Sequence, residues 1–519
     1  GFGALTLWWG LAVWFALPVD LPGLSLPALA LLHIGPPVSV VAVWSLGKGA
    51  LAWRARRKAD RAAQAAAQEE PARREAERTA QAAALRAHRA YLECRSIFLE
   101  LASAPDWLGS AAPSWHRFPR DAKTLRGAGR EAALKPGLRQ VFEAVFLQSA
   151  AIAWLPVYVA GHEKQQRQRE WVRSAWREAA AACCEEDPPL PDCRSLPGSG
   201  PLAARVMALF DEDPDLPALV LLGMDSPLSE APDGQAGIHP GHAVALVVLS
   251  RPGLVAREVD EADLARQLAD PNLPYWEHER IRHAAEHAAT GPSWGKVPWT
   301  LQADFCGLEP FAVLHRPDSV HWRDGDAPDA QVKPLQAAIE TAAIHAALRE
   351  PPTGDSETRK DDKASDKPET EPEPLDVGWL THNSGGMADP LAADRLVCVL
   401  RVLNGLGCEL NVAQATGNLL VEHGDVGAAA SVLMLAEALI RAAQLQKPVL
   451  LAEFRDSTLD IGVTRASTAI QGVPPTTIQA NESNHEYFQA RRRQPFNNRY
   501  THPENLAARD SRETAGQCG

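Results

Sequence analysis

The chain has 519 residues, of which 45% are hydrophobic, and a formal net charge of −13 at pH 7. This length exceeds one ordinary domain, and the apolar fraction is sufficient for a large buried core. The acidic balance argues against nucleic acid as a main partner, because phosphate binding requires a basic surface. The eight cysteines are scattered and show no spacing typical of a disulfide framework.

The N-terminal residues 1–47 predict a transmembrane helical hairpin. Residues 1–19 contain no charged side chain and are just long enough to cross a hydrocarbon core of about 30 Å. Asp20 and Pro22 end this run, and a second apolar run covers residues 25–46. A histidine and two prolines interrupt the second run, so the alternative is one span beside a buried or re-entrant segment.

Residues 48–90 predict a basic stalk helix rich in Ala, Gln and Glu. These residue types have high helix propensity, and the segment lacks the apolar heptad seam of a coiled coil. Its first part, WRARRKADR at residues 53–61, carries a cluster of basic side chains. Because basic residues beside a span stay on the cytoplasmic side, we expect the body that follows to lie in the cytoplasm.

Alternating strands and helices in the body predict a layered α/β fold. Continuous apolar runs indicate strands that are covered on both faces, and Ala-rich helical runs lie between them. The predicted strands are 218–222, 243–249 and 449–454, and the predicted helices are 165–182, 202–210, 334–348, 393–406 and 427–443.

Two polar segments separate or follow the folded parts. Residues 350–374 consist mainly of Pro, Glu, Asp, Lys, Ser and Thr and offer no large apolar side chain. We predict a disordered acidic linker there, because nothing would offset the entropy cost of ordering it. The linker divides the body into a first half, residues 91–349, and a second half, residues 375–463. Residues 464–519 form a polar tail without periodicity, which includes RRRQP at residues 491–495.

His283, Glu286 and His287 form an H-x-x-E-H pattern, in which two histidines bind Zn²⁺ and the glutamate activates water. The surrounding residues 277–287 are charged throughout, which is typical of an exposed helix. We therefore predict no metal site. The sequence also shows no nucleophile elbow, no phosphate-binding loop and no well-placed dinucleotide-binding motif, and we predict no cofactor.

Two motifs in the second half resemble the thiolase fold of condensing enzymes. HNSGGMADP (382–390) follows a predicted strand and is similar to that fold's His-Gly-Thr-Gly-Thr turn with its following Asp-Pro. HGDVGAAAS (423–431) is similar to the turn that opens a buried helix. The resemblance implies a degenerate thiolase-like layered fold of two related halves, in which one cysteine and two histidines carry the chemistry. It also implies pairing into a homodimer.

The catalytic residues of that fold match poorly. His382 takes the position of the first histidine. The second should lie three residues before Gly427, where the chain has Gly424, with His423 one place too early. Such a slip re-aims a side chain by roughly 100 to 180°. Cys193 is the only candidate nucleophile, but prolines surround it, and it lacks the elbow that presents a thiolate at a helix N-terminus. We predict no catalysis; an enzyme would have to use Cys193, His382 and His423.

The predicted span, together with GMDS (223–226), THNSG (381–385) and HGDVGAAAS (423–431), resembles the type VI secretion lipase-adaptor family. That resemblance implies a non-catalytic adaptor or chaperone in the bacterial inner membrane, which binds a lipase effector protein and delivers it to the secretion spike protein. One alternative is a divergent condensing enzyme that transfers acyl groups at the membrane. Another is a purely structural membrane scaffold. Fold similarity alone does not decide among them.

Overall fold

The computed structural model describes residues 2–16, 23, 25–87, 89–108, 115–161, 166–184, 188–198, 200–229, 238–288, 291–325, 328–351, 374–386, 388–455 and 457–470. Most of the predicted linker (350–374) and of the polar tail (464–519) lies outside these residues. The chain divides into two compact units, Gly1–Ala82 with Pro352–Lys363 and Ala83–Pro351 with Ala364–Gly519.

The N-terminal unit contains helix α1 (Phe2–Ala16) and most of helix α2 (Leu26–Ala87). By length and composition, Leu26–Ala63 could cross a membrane, and only 6% of its apolar window is buried. α1 has 15 residues. At 1.5 Å per residue it is about 22 Å long, which is short of a core of about 30 Å. Among the described residues of this unit, the second predicted span has the required length within one helix, and that helix continues into the predicted stalk.

In the described part of the chain, the first half of the body contains six strands. β3, β4 and β5 are parallel, and β6 runs antiparallel to β5 and β1. The spatial order is β4-β3-β5-β6-β1, and β2 pairs with β1 outside this path. The strands are β1 (Tyr91–Leu101), β2 (Trp115–Pro119), β3 (Val157–Ala160), β4 (Cys193–Ser195), β5 (Ala218–Asp225) and β6 (Ala243–Ser250).

The second half repeats this arrangement. Its order is β10-β9-β11-β12-β7, with β8 paired to β12 outside the path. β9, β10 and β11 are parallel, and β12 runs antiparallel to β11 and β7. The strands are β7 (Ala312–His315), β8 (Asp318–His321), β9 (Trp379–His382), β10 (Thr416–Asn418), β11 (Val449–Arg455) and β12 (Thr458–Ala466).

Without β2 and β8, both halves have the strand order third, second, fourth, fifth, first. The two first strands, β1 and β7, pair antiparallel, with Tyr91 opposite His315, so that all strands form one continuous sheet. By strand order, the second half begins at β7. The boundary predicted from composition, residues 350–374, lies later in the chain, because the change in composition does not coincide with the start of the structural repeat.

Helices cover both faces of the sheet. They are α3 (Ala122–Arg126), α4 (Arg130–Gln148), α5 (Gln166–Cys183), α6 (Leu202–Glu212), α7 (Glu261–Leu268), α8 (Tyr275–Ala288), α9 (Trp299–Gly307), α10 (Pro328–His345), α11 (Ala392–Gly405), α12 (Val412–Ala415), α13 (Leu419–Glu422) and α14 (Ala430–Leu445). Short 3-10 turns include Asp106–Leu108, Ala150–Trp154 and Gly427–Ala429.

The apolar cores show that the helices form three layers. α14 packs against strands of both halves, and its side chains share one central core with those of α6. α4 and α5 pack on the opposite face of the first half, and α10 and α11 on the opposite face of the second half. In β5, Leu221 faces the central core and Leu222 the outer core. The predicted layered α/β fold with two related halves is confirmed.

Candidate functional site

His382 is the last residue of β9, and its side chain is buried. The strand lies between β10 and β11, with Asn418 and Ala452 opposite His382. The Nδ1 atom is 3.1 Å from the Oγ atom of Ser384. Burial lowers the pKa of His382 to about 4, so the imidazole is neutral at pH 7.

The turn after His382 is held by side chains. Asn383 accepts a hydrogen bond from the backbone nitrogen of Phe454 (2.7 Å) and donates one to its carbonyl (3.1 Å). Arg395 donates to the Ser384 carbonyl (2.6 Å) and to the Asp389 carboxylate (2.9 Å). The polar residues of the HNSGGMADP motif therefore have a structural role, because they hold the turn against β11 and α11.

His423 ends α13 and is also buried, but it contacts another group. Its Nε2 atom is hydrogen-bonded to the Oε1 atom of Glu437 on α14. Burial acts to lower the pKa of His423, but the attraction of Glu437 and a hydrogen bond to that carboxylate outweigh burial, and the pKa is raised. An imidazole that holds its proton in a buried ion pair is poorly suited to act as a general base.

Further charges surround this pair, and we call Glu422, His423, Glu437 and Arg441 the His423 cluster. The guanidinium of Arg441 lies 3.9 Å from the ring centres of both Trp107 and Trp379. The Trp107 indole donates to the Glu422 carboxylate, 2.6 Å away. Burial and the neighbouring Glu437 raise the pKa of Glu422. Two carboxylates, a protonated imidazole and a guanidinium balance one another in charge.

Three members of the His423 cluster have donor atoms within 4.8 Å of one another, which is close enough to hold a metal ion. They are Glu422, His423 and Glu437. The guanidinium of Arg441 and the proton on His423 already compensate both carboxylates, so we assign no metal to the cluster. Of the H-x-x-E-H pattern, His283 lies on α8, and the side chains of Glu286 and His287 lie outside the described ones.

Gly424, at which the sequence resemblance predicts the second histidine of condensing enzymes, has no space for a side chain. Its backbone has φ +73°, and a Cβ atom there would lie 2.0 Å from the carbonyl oxygen of His239. The loop before β6 crosses at this point: Asp425 donates to the His239 carbonyl (2.8 Å), and Gly241 donates to the Asp425 carbonyl (2.6 Å). A Cβ at Gly241 would lie 2.3 Å from the His423 carbonyl. Backbone therefore fills the place where that imidazole would project.

The start of the central helix is occupied by a carboxylate of the protein itself. Asp225, the last residue of β5, accepts a hydrogen bond from the backbone nitrogen of Ala428 (2.9 Å). Arg130 forms an ion pair with the same carboxylate, 3.3 Å away. Gly427 has φ +53°, and a Cβ there would lie 2.1 Å from the Asp225 Oδ2 atom. The N-terminal partial charge of a helix attracts anions, and here Asp225 satisfies it.

Cys193 lies on the outer face of the first half. It is the first residue of β4, opposite Val157 of β3, and it is buried in the core formed by α4 and α5. Burial raises the pKa of its thiol to about 11, so the thiol remains protonated. α6 begins only at Leu202, after Pro201. Cys193 therefore shares neither a helix N-terminus nor a core with the central layer.

In the described part of the chain, the three candidate catalytic residues make separate contacts. Among the described residues, no hydrogen bond joins Cys193, His382 and His423, and each has its own surroundings. Sequence reasoning missed Glu437 and Arg441, because nothing in their local sequence indicates that α14 would place them against α13. Asp225 was part of the GMDS motif, but its role as a cap for the central helix depends on contact with a residue 203 positions away.

No protein-family model and no curated protein matches the chain in sequence. Among solved structures, the peroxisomal 3-ketoacyl-CoA thiolase of Saccharomyces cerevisiae, described as a five-layered structure of two core domains of identical topology, is 10% identical. Its TM-score is 0.37, over 73% of this chain and 99% of that one. Human mitochondrial 3-ketoacyl-CoA thiolase is 7% identical, with a TM-score of 0.37 over 73% and 100%.

A single-residue variant of OleA from Xanthomonas campestris, solved with cerulenin, is 9% identical, with a TM-score of 0.33 over 72% of this chain and 96% of that one. Likenesses at this level carry no argument about the site. Our description of the fold follows from the chain itself: two halves of the same strand order enclose a shared helix layer. This is a thiolase-like layered α/β fold.

Proposed function

We propose that the chain is a non-catalytic member of the thiolase-like fold whose body acts as a membrane-anchored adaptor for other proteins. The observation that carries the proposal is Gly424. At the position of the second histidine, neither the backbone conformation nor the adjacent His239 carbonyl permits a side chain. A condensing enzyme without that imidazole would lose a group that acts directly on the reacting atoms.

The other two positions support the same proposal. The Cys193 thiol is protonated and faces the outer core, whereas nucleophilic cysteines react as thiolates in electropositive, partly exposed sites. Asp225 caps the start of the central helix, so that helix terminus does not offer a free site for a developing oxyanion. At each of these positions, packed protein atoms take up the space that a catalytic group would need. We expect such packing in a body that functions by binding other proteins through its surface.

The membrane anchor rests on the apolar part of α2. Leu26–Ala63 has the length and composition of a span, and basic side chains from Arg54 to Arg61 follow it. Because such residues stay on the cytoplasmic side, we propose that the protein lies in a bacterial inner membrane with its body in the cytoplasm.

The specific partners are proposed from the family resemblance of the sequence motifs. They are a lipase effector protein and the spike protein of a type VI secretion system. The competing function is a divergent condensing enzyme. The observation that favours it is His382, which keeps the strand-end position and a neutral imidazole. In the described residues the hydrogen-bond partner of that imidazole is Ser384 of the same turn, and no cysteine thiol is hydrogen-bonded to it.

Co-purification from cells with an intact secretion cluster tests the proposal. We expect a tagged full-length chain to retain the lipase and the spike protein, and its deletion to abolish lipase export. An acyl-carrier protein presented at equal concentration serves as the comparison ligand. The proposal fails if the chain elutes without both partners, if export is unchanged, or if the acyl-carrier protein is bound in their place.

A further inference from the structure

A cleft of about 210 Å³ opens at the edge of the first half where β3, β4 and β5 begin. Trp154, Tyr158 and Trp294 line it, together with four prolines. Trp294 and Tyr158 are buried, and Trp154 is the aromatic residue that is partly exposed there. Asp213 and Asp215, between α6 and β5, also line the cleft, and the Asp213 carboxylate accepts a hydrogen bond from the backbone nitrogen of Asp215 (3.1 Å). A proline-lined cleft with a partly exposed tryptophan beside carboxylates has the character of a peptide-binding site.

The carboxylates of Asp213 and Asp215 form no ion pair with any residue in the described part of the chain. The neighbouring Arg251 donates to the backbone carbonyls of Phe210, Asp213 and Leu216 instead. The other basic side chains of the cleft are Arg194, which pairs with Asp192 at 2.5 Å, and the exposed Lys296. Arg251 also attracts both carboxylates electrostatically, but neither is held in an ion pair within the described residues. Both therefore remain accessible to a basic ligand.

The polypeptide leaves the sheet at the same end as this cleft. Inter-strand pairing runs directly across the sheet from the end of β12 to the start of β5, through Ala466, Ala312, Cys94, Leu249 and Leu219. Four steps between neighbouring strands, each about 4.8 Å, place Leu219 about 19 Å from Ala466 along the sheet. Pro217, two positions before Leu219, lines the cleft.

We propose that this cleft binds the chain's own C-terminal segment ARRRQP, residues 490–495. Its three consecutive arginines suit Asp213 and Asp215, because guanidinium groups pair with carboxylates and stack on aromatic rings. Pro495 suits the partly exposed Trp154, because proline-rich peptides characteristically dock on aromatic side chains. Arg491 follows Ile470 by 21 positions, and that many residues can span up to roughly 70 Å. The distance along the sheet is well within this reach.

Site-specific photo-crosslinking in the full-length, detergent-solubilised chain tests the proposal. The photoreactive amino acid replaces Leu190, which lines the cleft and is 58% exposed. We expect mass spectrometry to find crosslinks to residues 488–497 of the same chain. The matched probe position is Val397 on α11, which is 59% exposed and lies in the outer layer of the second half. We expect no crosslink to those residues from Val397.

Charge reversals in the C-terminal segment test whether its arginines are recognised while the cleft itself is unchanged. The triple variant Arg491→Glu, Arg492→Glu, Arg493→Glu should reduce crosslinking about fivefold or more, because several weak exposed ion pairs are lost together. Its control is Arg499→Glu, Arg509→Glu, Arg512→Glu, which makes the same change in charge elsewhere in the tail and should leave the crosslink unchanged. Adding Asp215→Lys to the first triple variant should restore part of the signal.

Three outcomes would overturn the proposal. In a mixture of isotopically light and heavy chains, crosslinks that join the two would assign the segment to the cleft of a second copy. Crosslinks that survive charge reversal of residues 491–493 would show that the segment lies near the cleft but is not held there by its arginines. A Leu190 probe that captures no residue between 488 and 497 would leave the cleft to another ligand.

Discussion

Asp225 ends a strand of the first half and accepts a hydrogen bond from Ala428, in the 3-10 turn that leads into the central helix of the second half. The two halves are thus joined directly by this hydrogen bond. Gly427 is required beside this contact, because any Cβ there would collide with the carboxylate. The glycine that makes the motif resemble a catalytic turn is explained here by packing.

We expect Gly424→Ala to be strongly destabilising. Its φ of +73° alone costs an alanine about 1–2 kcal/mol, and the collision with the His239 carbonyl adds to that cost, for a total of roughly 4 kcal/mol. Gly253→Ala is the control, since Gly253 has φ +65° with nothing within 4 Å. Urea unfolding measures the free energy of unfolding of both variants. Equal losses would show that the backbone of residues 239–241 leaves space for a Cβ atom at Gly424.

Asp460 should make the body less stable as pH rises. Burial, followed by the neighbouring Glu453, raises the pKa of Asp460 to about 6 from an ordinary value of 3.8. The free energy of unfolding is therefore at its full value below about pH 3.8. It falls as pH rises through about 6, by roughly 3 kcal/mol at pH 7. Asp460→Asn should remove this loss.

Unfolding free energies between pH 4 and 8 check the Asp460 prediction. The exposed Glu409 supplies the comparison, and Glu409→Gln should keep the pH profile of the unmodified chain. If Asp460→Asn leaves that profile unchanged, the carboxyl is better solvated than its burial indicates.

The His423 cluster should lose stability at high pH. The pKa of His423 is raised above its ordinary value of 6.5, so the stabilisation is complete below about pH 6.5 and is lost as pH rises through the folded-state pKa. Glu437→Gln removes the partner of a buried imidazolium and should cost about 3–5 kcal/mol at pH 6. Glu143→Gln, in the surface ion pair with Arg139, should cost much less, because solvent screens such a pair. Similar losses at both sites would contradict a buried ion pair.

Cys193→Ala and His382→Ala should each leave partner retention and lipase export within a few-fold of the unmodified chain. A working cysteine–histidine pair would instead lose about 10³-fold when either member is removed. Circular dichroism establishes that both variants are folded before export is measured. A loss of that size in both folded variants would restore the condensing-enzyme alternative.

Protease added outside intact spheroplasts should leave the body uncut. The basic residues from Arg54 to Arg61 follow the apolar part of α2, and translocating them is disfavoured. Digestion after the spheroplasts are lysed is the control for protease access. Complete digestion before lysis would place the body on the other side of the membrane.

The layered fold could be predicted because its strongest signals are local. The predicted strands 218–222, 243–249 and 449–454 lie within β5, β6 and β11, whose side chains alternate between two apolar cores. β1 was not predicted. It carries Glu93, Arg95 and Glu100, and such polar residues do not indicate a buried strand by themselves. Arg95 and Glu100 are buried with polar partners supplied by distant residues such as Ser250 and His242.

The candidate site was less predictable for a related reason. His382 is located at its strand end as its motif predicts, because strand, turn and helix follow one another along the chain. The lack of space at Gly424 depends on the loop at His239, about 185 positions earlier in the sequence. Single-sequence patterns describe neighbours along the chain and contain no measure of such a crossing.

The position of β1 inside the sheet has a consequence for biosynthesis. β1 is among the first segments of the body to be made, yet Leu101 pairs with Ala243, and Tyr91 pairs with His315. At 5–20 residues per second, about 7 to 28 seconds separate the synthesis of Leu101 from that of Ala243. During that interval the edge of β1 that pairs with β6 is unpaired. We therefore expect nascent-chain chaperones to associate with residues 91–101 until β6 has been synthesised.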